Sequence, residues 1–135
     1  NGATKGETMT QQETFELLKF TGAGYEPKDI FNSAKTAAVK AVDEYMTQRE
    51  EPMYCGFANI SIRPARGAFV KFLKEQKIGS NGWNGGYRVS YYDIMPQEHR
   101  YRNTQSMDIK ELGCDAFCAA LEKYGIRASM ESRAD

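Results

Sequence analysis

Between Tyr54 and Arg133 the hydrophobic positions change period several times, and each change marks a new element. Alternation every second residue suits a strand with one buried face. Recurrence every three to four residues suits a helix with one buried stripe. The stretch Tyr54-Cys55-Gly56-Phe57-Ala58-Asn59-Ile60-Ser61-Ile62 alternates, with Ala58, Ile60 and Ile62 on one side and Cys55, Phe57, Asn59 and Ser61 on the other. Behind Pro64, the residues Phe69, Val70, Phe72 and Leu73 predict a helix with Lys71, Lys74 and Lys77 at its polar positions. Gly79 to Gly86 reads as a glycine–asparagine loop. Tyr87 to Ile94 then reads as a second strand, in which Arg88, Ser90 and Tyr92 oppose Tyr87, Val89 and Tyr91. Met95-Pro96-Gln97 turns the chain, and His99 to Gln105 is expected to form a short edge strand. From Asp108 onward, Ile109, Leu112, Ala116, Phe117, Ala120, Leu121 and Tyr124 form a helical stripe that Gly125 ends. Ile126 to Glu131 alternates once more as a final strand.

Two further helices are predicted ahead of this series. Thr10 with Glu13 fits a capping box, followed by Phe15, Leu17, Leu18 and Phe20. Pro27 suits the first turn of a longer helix carrying Ile30, Ala34, Ala37, Ala38, Ala41, Val42, Tyr45 and Met46. Charged residues up to Pro52 close it. Residues 53–133 thus spell β-α-β-β-α-β, which predicts an α+β domain with a ferredoxin-like antiparallel sheet. Residues 10–50 add two amino-terminal helices, and 10–135 form a single domain. Met9-Thr10-Gln11 reads as a natural start, so residues 1–9 are expected to be a disordered arm or a cloning remnant. Two helices cover only one face of such a sheet. The other is open unless the amino-terminal helices, the Ala34–Met46 helix above all, or a partner lie over it.

At 135 residues, with 41% hydrophobic and 27% charged side chains, the chain has the composition of a folded domain with its own core. Lys plus Arg equals Asp plus Glu at 18 each, so no global field recruits polyanions. The distribution is uneven, however. Residues 61–102 hold eight cations (Arg63, Arg66, Lys71, Lys74, Lys77, Arg88, Arg100, Arg102) against Glu75, Asp93 and Glu98, a local excess of five. Three cysteines without framework spacing point to a reducing compartment, hence the cytoplasm. No apolar run approaches the ~18 residues of a membrane span, so no membrane partner is expected.

Several short motifs carry a resemblance: Pro52-Met53-Tyr54-Cys55-Gly56-Phe57-Ala58, Trp83-Asn84-Gly85-Gly86, Gln105-Ser106-Met107 leading into Lys110-Glu111, and Gly125-Ile126 with Ser132-Arg133. Over roughly residues 28–135 the chain resembles a family of small uncharacterised proteins encoded by tailed bacteriophages and prophages. The resemblance implies a phage product acting in the cytoplasm of an infected bacterium, and no particular activity.

The chemistry-bearing residues give mostly negative indications. The Gly79–Gly86 loop runs from a helix into a strand, the reverse of the polarity a phosphate loop needs. Cys55, His99, Cys114 and Cys118 are scattered where structural zinc uses close-spaced pairs, so no metal and no cofactor is expected and the paired cysteines read as buried small residues. His99 is the sole histidine; its sequence neighbour Glu98 would face away from it on a strand, and no nucleophile motif accompanies it. A surface role fits better. The leading expectation is a phage accessory protein that binds a protein without catalysis: a host factor such as a defence component, a phage protein, or a second copy of itself. Trp83, Phe57, Asn59, Arg88 and Tyr92 are its expected contacts. The alternative is a single-stranded nucleic-acid binder using Phe57, Arg88 and Tyr92 with Arg100, Tyr101 and Arg102, although the RNA-recognition consensus is absent. A small-molecule enzyme ranks third.

Overall fold

The computed structural model describes residues 24–82 and 84–135. The predicted first helix, the 1–9 arm and Trp83 lie outside the described residues. Pro27–Tyr45 forms α1, Gly56–Ile62 forms β1, and Ala68–Glu75 forms α2. Ser80–Asn81 forms β2 and Tyr87–Ser90 forms β3. Tyr91–Ile94 forms the single-turn α3, Met107–Lys123 forms α4, and Ala128–Ala134 forms β4. The class is α+β, with one open four-stranded antiparallel sheet in the order β2-β3-β1-β4.

Both long helices follow their apolar spacing. In α1, Pro27 occupies the first turn, where its missing amide costs nothing, and Ile30, Phe31, Ala34, Ala38 and Val42 are buried. In α4, Ser106 caps the helix by accepting from the Ile109 amide at 3.3 Å, and Ile109, Gly113, Cys114, Phe117, Cys118 and Leu121 are buried. The two helices pack along each other. The Phe31 ring meets Phe117 edge-on at 5.9 Å, and the small Ala34 and Ala38 let the backbones approach. At the other end of α4, Tyr25 meets Tyr124 edge-on at 4.9 Å.

On the sheet, Ala58, Ile60 and Ile62 of β1 join Tyr87 and Val89 of β3 in one core cluster with residues of α1, α2 and α4. Register partners Ile60↔Val89 and Ile62↔Tyr87 place them on the same face. The helices α1, α2 and α4 therefore lie on one side of the sheet. The idea that α1 crosses to cover the other side is overturned: α1 stacks on α4.

Two predicted strands are corrected. The second ends at Ser90, where the sequence Ser90-Tyr-Tyr-Asp93 forms a capping box. The Ser90 hydroxyl accepts from the Asp93 amide at 3.1 Å and the Asp93 carboxylate accepts from the Ser90 amide at 3.1 Å. Tyr91 thereby turns inward and its hydroxyl donates to the Tyr101 carbonyl at 2.7 Å, while Tyr92 turns outward. His99–Gln105 is not a strand. Its amides are taken locally, by the Pro96 carbonyl for His99, the His99 ring for Tyr101 and the His99 carbonyl for Arg102. The fourth strand is instead β2, two residues from the predicted loop, and β4 runs three residues beyond the predicted Glu131.

Gly113 has no room for a side chain, since a β-carbon there would lie 2.9 Å from Tyr91 Cε1 and 3.3 Å from Val42 Cγ2. Tyr91 is anchored through its hydroxyl and cannot swing aside. Overpacking of this kind costs about 1–3 kcal/mol, and the gain in helix propensity returns only ~1. Gly113→Ala is thus expected to lower unfolding stability, by up to about 2 kcal/mol. A urea midpoint equal to or above that of the native chain would contradict this packing.

Candidate functional site

The sheet face opposite the helices is built from the alternate residues of three strands. Phe57, Asn59 and Ser61 of β1 pair across with Arg133, Glu131 and Ser129 of β4, and Asn59 and Ser61 pair with Ser90 and Arg88 of β3. Among the described residues no helix covers it. Phe57 is 51% exposed, a value unusual for a phenylalanine on a central strand.

One end of this face is recessed. Phe57, Asn59, Ser90, Tyr92, Arg102 and Lys110 line a cavity of about 390 Å³, whose rim is the 103–105 backbone and side chains. The Arg102 guanidinium lies 3.7 Å from the Tyr92 ring centre, and its Nε donates to the Tyr92 carbonyl at 3.3 Å. Lys110, in the first turn of α4, donates to the Gly56 carbonyl at 2.7 Å and stands 5.1 Å over the Phe57 ring. The rim is held by Thr104, whose hydroxyl donates to Glu51 and accepts from the Ser106 amide at 3.1 Å. The Gly56 amide bonds the Gln105 carbonyl at 3.2 Å, sewing the segment to the start of β1.

A second, shallower groove of about 450 Å³ continues across Phe57, Asn59, Arg88, Glu131, Ser132 and Arg133. Together the two concavities carry four cations (Arg88, Arg102, Lys110, Arg133) and one carboxylate, Glu131. The Asn84 amide donates to that carboxylate at 3.3 Å, which ties the β2–β3 loop to the face. At the far end the loop closes down: Ser61 is buried, its hydroxyl has no partner among the described residues, and Gly86 sits directly against it. Any β-carbon at Gly86 would collide with that hydroxyl.

Of the expected contact residues, Phe57, Asn59, Arg88 and Tyr92 share this surface, although Tyr92 reaches it from α3 and not from a strand. Trp83 lies outside the described residues. Arg102 joins the site, whereas Arg100 and Tyr101 do not: Arg100 stands 5.2 Å from the Tyr101 ring, and Tyr101 packs against the core. Lys110, Arg133 and the Thr104–Gln105 rim were not anticipated. Arg133 was legible in principle, because the alternation of Ser129, Glu131 and Arg133 runs past Glu131, the predicted end of the strand. Lys110 has no local signature, since only the crossing of α4 over β1 brings it to Phe57.

The remaining reactive groups are engaged structurally. The His99 ring accepts from the Tyr101 amide through Nδ1 at 3.0 Å, which leaves Nε2 to donate to Asp43 at 2.8 Å. This pair bolts the end of α1 to the 95–106 segment, and the carboxylate is Asp43, not Glu98. Cys114 and Cys118 are buried on α4. Burial, reinforced by Asp115 and Glu122, pushes the Cys118 thiol up to about 12; burial raises Cys114 further still. Among the described residues no His, Cys, Asp or Glu cluster has the geometry of a metal site, and no helix is long and apolar enough to cross a membrane.

Comparison with protein-family models, curated proteins and solved structures returned no match for this chain. The site is therefore read from its own geometry.

Thiols held protonated by burial react slowly at neutral pH. A thiol-exchange reagent should accordingly titrate only the exposed Cys55 in the native protein, and all three cysteines after denaturation. Rapid native labelling of two or more would show that α4 is not packed as described.

Proposed function

We propose that the protein binds single-stranded nucleic acid across the open face of its sheet. The observation that carries this reading is the pairing of exposed aromatic rings with cations on a surface of excess positive charge. Phe57 is half exposed, Tyr92 is 49% exposed under the Arg102 guanidinium, and four cations surround them against one carboxylate. Bases stack on aromatic rings and on guanidinium planes whatever their identity, while phosphates pair with Arg and Lys. Asn59, Gln105 and Asn103 supply amide groups suited to base edges within the same recess.

The ferredoxin-like arrangement belongs to the same proposal. Taken from its other edge, the sheet order is β4-β1-β3-β2, with β3 between the two strands that α2 connects. That is the order expected of a split β-α-β unit, and it supports the reading. The resemblance to phage proteins and the absence of disulfides among the three cysteines support a setting in an infected bacterium's cytoplasm.

A protein partner is favoured by a different observation. β4 is an edge strand of seven residues, exposed over most of its length, and Met53 and Tyr54 are 87% and 59% exposed nearby. Such an edge accepts an added strand from another chain. This contact would leave the recess at Phe57 unexplained, so it stands second.

Fluorescence anisotropy with poly-dT and poly-U at low salt tests the leading reading. Phe57→Ala and Tyr92→Ala should each weaken binding by about 1–3 kcal/mol, the usual worth of one stacked base. Arg88→Ala with Arg133→Ala should flatten the dependence of log K on log salt by roughly 0.7 per lost phosphate contact. A native protein that binds neither polymer at low salt would retire the idea.

A further inference from the structure

The outer edge of β4 is a second interaction surface, separate from the open face. Two ladder bonds fix how its backbone is turned. The Arg63 amide donates to the Arg127 carbonyl at 3.1 Å, and the Asp135 amide donates to the Cys55 carbonyl at 3.2 Å. Both pairs continue the β1–β4 register, so the odd-numbered residues of β4 turn their amides and carbonyls toward β1. Ala128, Met130, Ser132 and Ala134 turn theirs outward. The Ala128 amide is taken by the Glu122 carboxylate at 3.1 Å. Those of Met130, Ser132 and Ala134 have no partner among the described residues. The opposite edge, β2, is only two residues long, whereas β4 runs for seven residues with an unbroken register and neither proline nor lysine. An edge of that kind, left unblunted, is a template for another strand.

The charge beside this edge selects the partner. Glu111, Asp115 and Glu122 form a stripe along the flank of α4 that borders β4. The Ser132 hydroxyl donates to Glu111 at 2.6 Å, and the bond from Ala128 to Glu122 anchors the other end of the stripe to the strand. Burial, reinforced by the nearby Glu111, raises Asp115 above the ordinary carboxylate value. Among the described residues no cation comes within ion-pair distance of these three carboxylates. A strand added to β4 would place alternate side chains on this flank, about 6.6 Å apart. Glu111 and Asp115, one helical turn from each other, are separated by about 6 Å along the axis. Cations at every second position of the added strand would therefore meet the stripe in step. A second copy of this chain, paired edge to edge with its helices on the same side, would set two acidic stripes against each other. A nucleic-acid strand would be repelled as well.

We propose that the β4 edge docks an extended protein segment carrying Lys or Arg at alternate positions. Its backbone pairs with Met130, Ser132 and Ala134, and its cations face Glu111, Asp115 and Glu122. This contact uses neither Phe57 nor the recess beside it. Fluorescein-labelled peptides titrated against the full chain test it: six Lys-Thr repeats, six Glu-Thr repeats, and the Lys-Thr peptide with its backbone amides methylated. The Lys-Thr peptide should bind and the Glu-Thr peptide should not. The methylated peptide keeps its charge but cannot donate to a ladder, and should bind about tenfold more weakly. Glu111→Gln, Asp115→Asn and Glu122→Gln together should weaken the Lys-Thr peptide by about tenfold, the combined scale of three exposed ion pairs. In native-state hydrogen exchange the peptide should slow the Met130, Ser132 and Ala134 amides, and slow that of Glu131, already turned to β1, far less. Phe57→Ala should change none of these results. Failure of the Lys-Thr peptide to bind, equal affinity for its methylated form, or unaltered exchange at the three amides would overturn the inference. So would protection of those amides in a dimer of the protein alone, which would assign the edge to a second copy. Each of these failures leaves nucleic-acid binding on the open face untouched, since that is decided by Phe57 and Tyr92.

Discussion

The contact on which the molecule depends is α4 wedged between α1 and the sheet. Ile109, Phe117 and Leu121 are fully buried, and their neighbours come from both partners, Phe31 and Val42 on one side and the β1 core residues on the other. Each such side chain removed from water contributes about 1.5–3 kcal/mol, far more than any surface pair in this chain. Because α1 spends its apolar stripe on α4, it has none left for the opposite sheet face. The open face follows from how the helices pack. It is tolerated because its strands alternate Asn59, Ser61, Arg88, Ser90, Ser129, Glu131 and Arg133 toward that side.

Within that polar row Phe57 is the anomaly. A phenylalanine half exposed on a central strand gives up about half of the stabilisation that full burial would bring. Lys110 partly shields it, yet the Lys110 ammonium is committed to the Gly56 carbonyl and stands above the ring without sealing it. The capping box at Ser90 adds the second ring. It stops β3 and rotates the chain, so that two adjacent tyrosines separate: Tyr91 enters the core against Gly113, and Tyr92 stays at the surface beside Phe57. Were β3 to continue, Tyr92 would stand in the same row as Arg88 and Ser90, above the sheet and not at the rim of a recess.

Much of this was legible in the sequence, and the exceptions have local causes. The alternation in β1 and the helical stripes of α1 and α4 were strong because each element has one buried side, and the burial of Ala58, Ile60, Ile62 and Phe117 follows those patterns. Periodicity failed at Tyr87–Ile94, where Tyr87, Val89 and Tyr91 suit a strand, but Ser90 and Asp93 can satisfy each other's amides and so favour a helical turn. It failed again at His99–Gln105, where His99 and Thr104 side chains replace strand partners. A strand of two residues such as β2 has no periodicity to detect. At the site, Phe57, Asn59 and Arg88 could be assembled from alternation alone, whereas Tyr92, named by the same pattern, reaches the site from the α3 turn. Lys110 and Arg102 could not, because their positions depend on how separate segments cross.

The balance of 18 cations and 18 anions bears less on the site than it first suggests. At physiological ionic strength exposed charges are screened beyond about 8 Å, so a strand bound there as proposed would respond to the groups beneath it and hardly to the acidic residues elsewhere. Beneath it lie Arg88, Arg102, Lys110 and Arg133, opposed by a Glu131 already engaged by Asn84. Long-range steering would be weak in a neutral protein, so association would not be accelerated by the net field. On the proposed reading few phosphate contacts are available, so the electrostatic part of the affinity would be small and stacking on Phe57 and Tyr92 would supply the rest. On the proposed reading, such a face would hold a short strand chiefly by its bases, with its cations adding a local and salt-sensitive share.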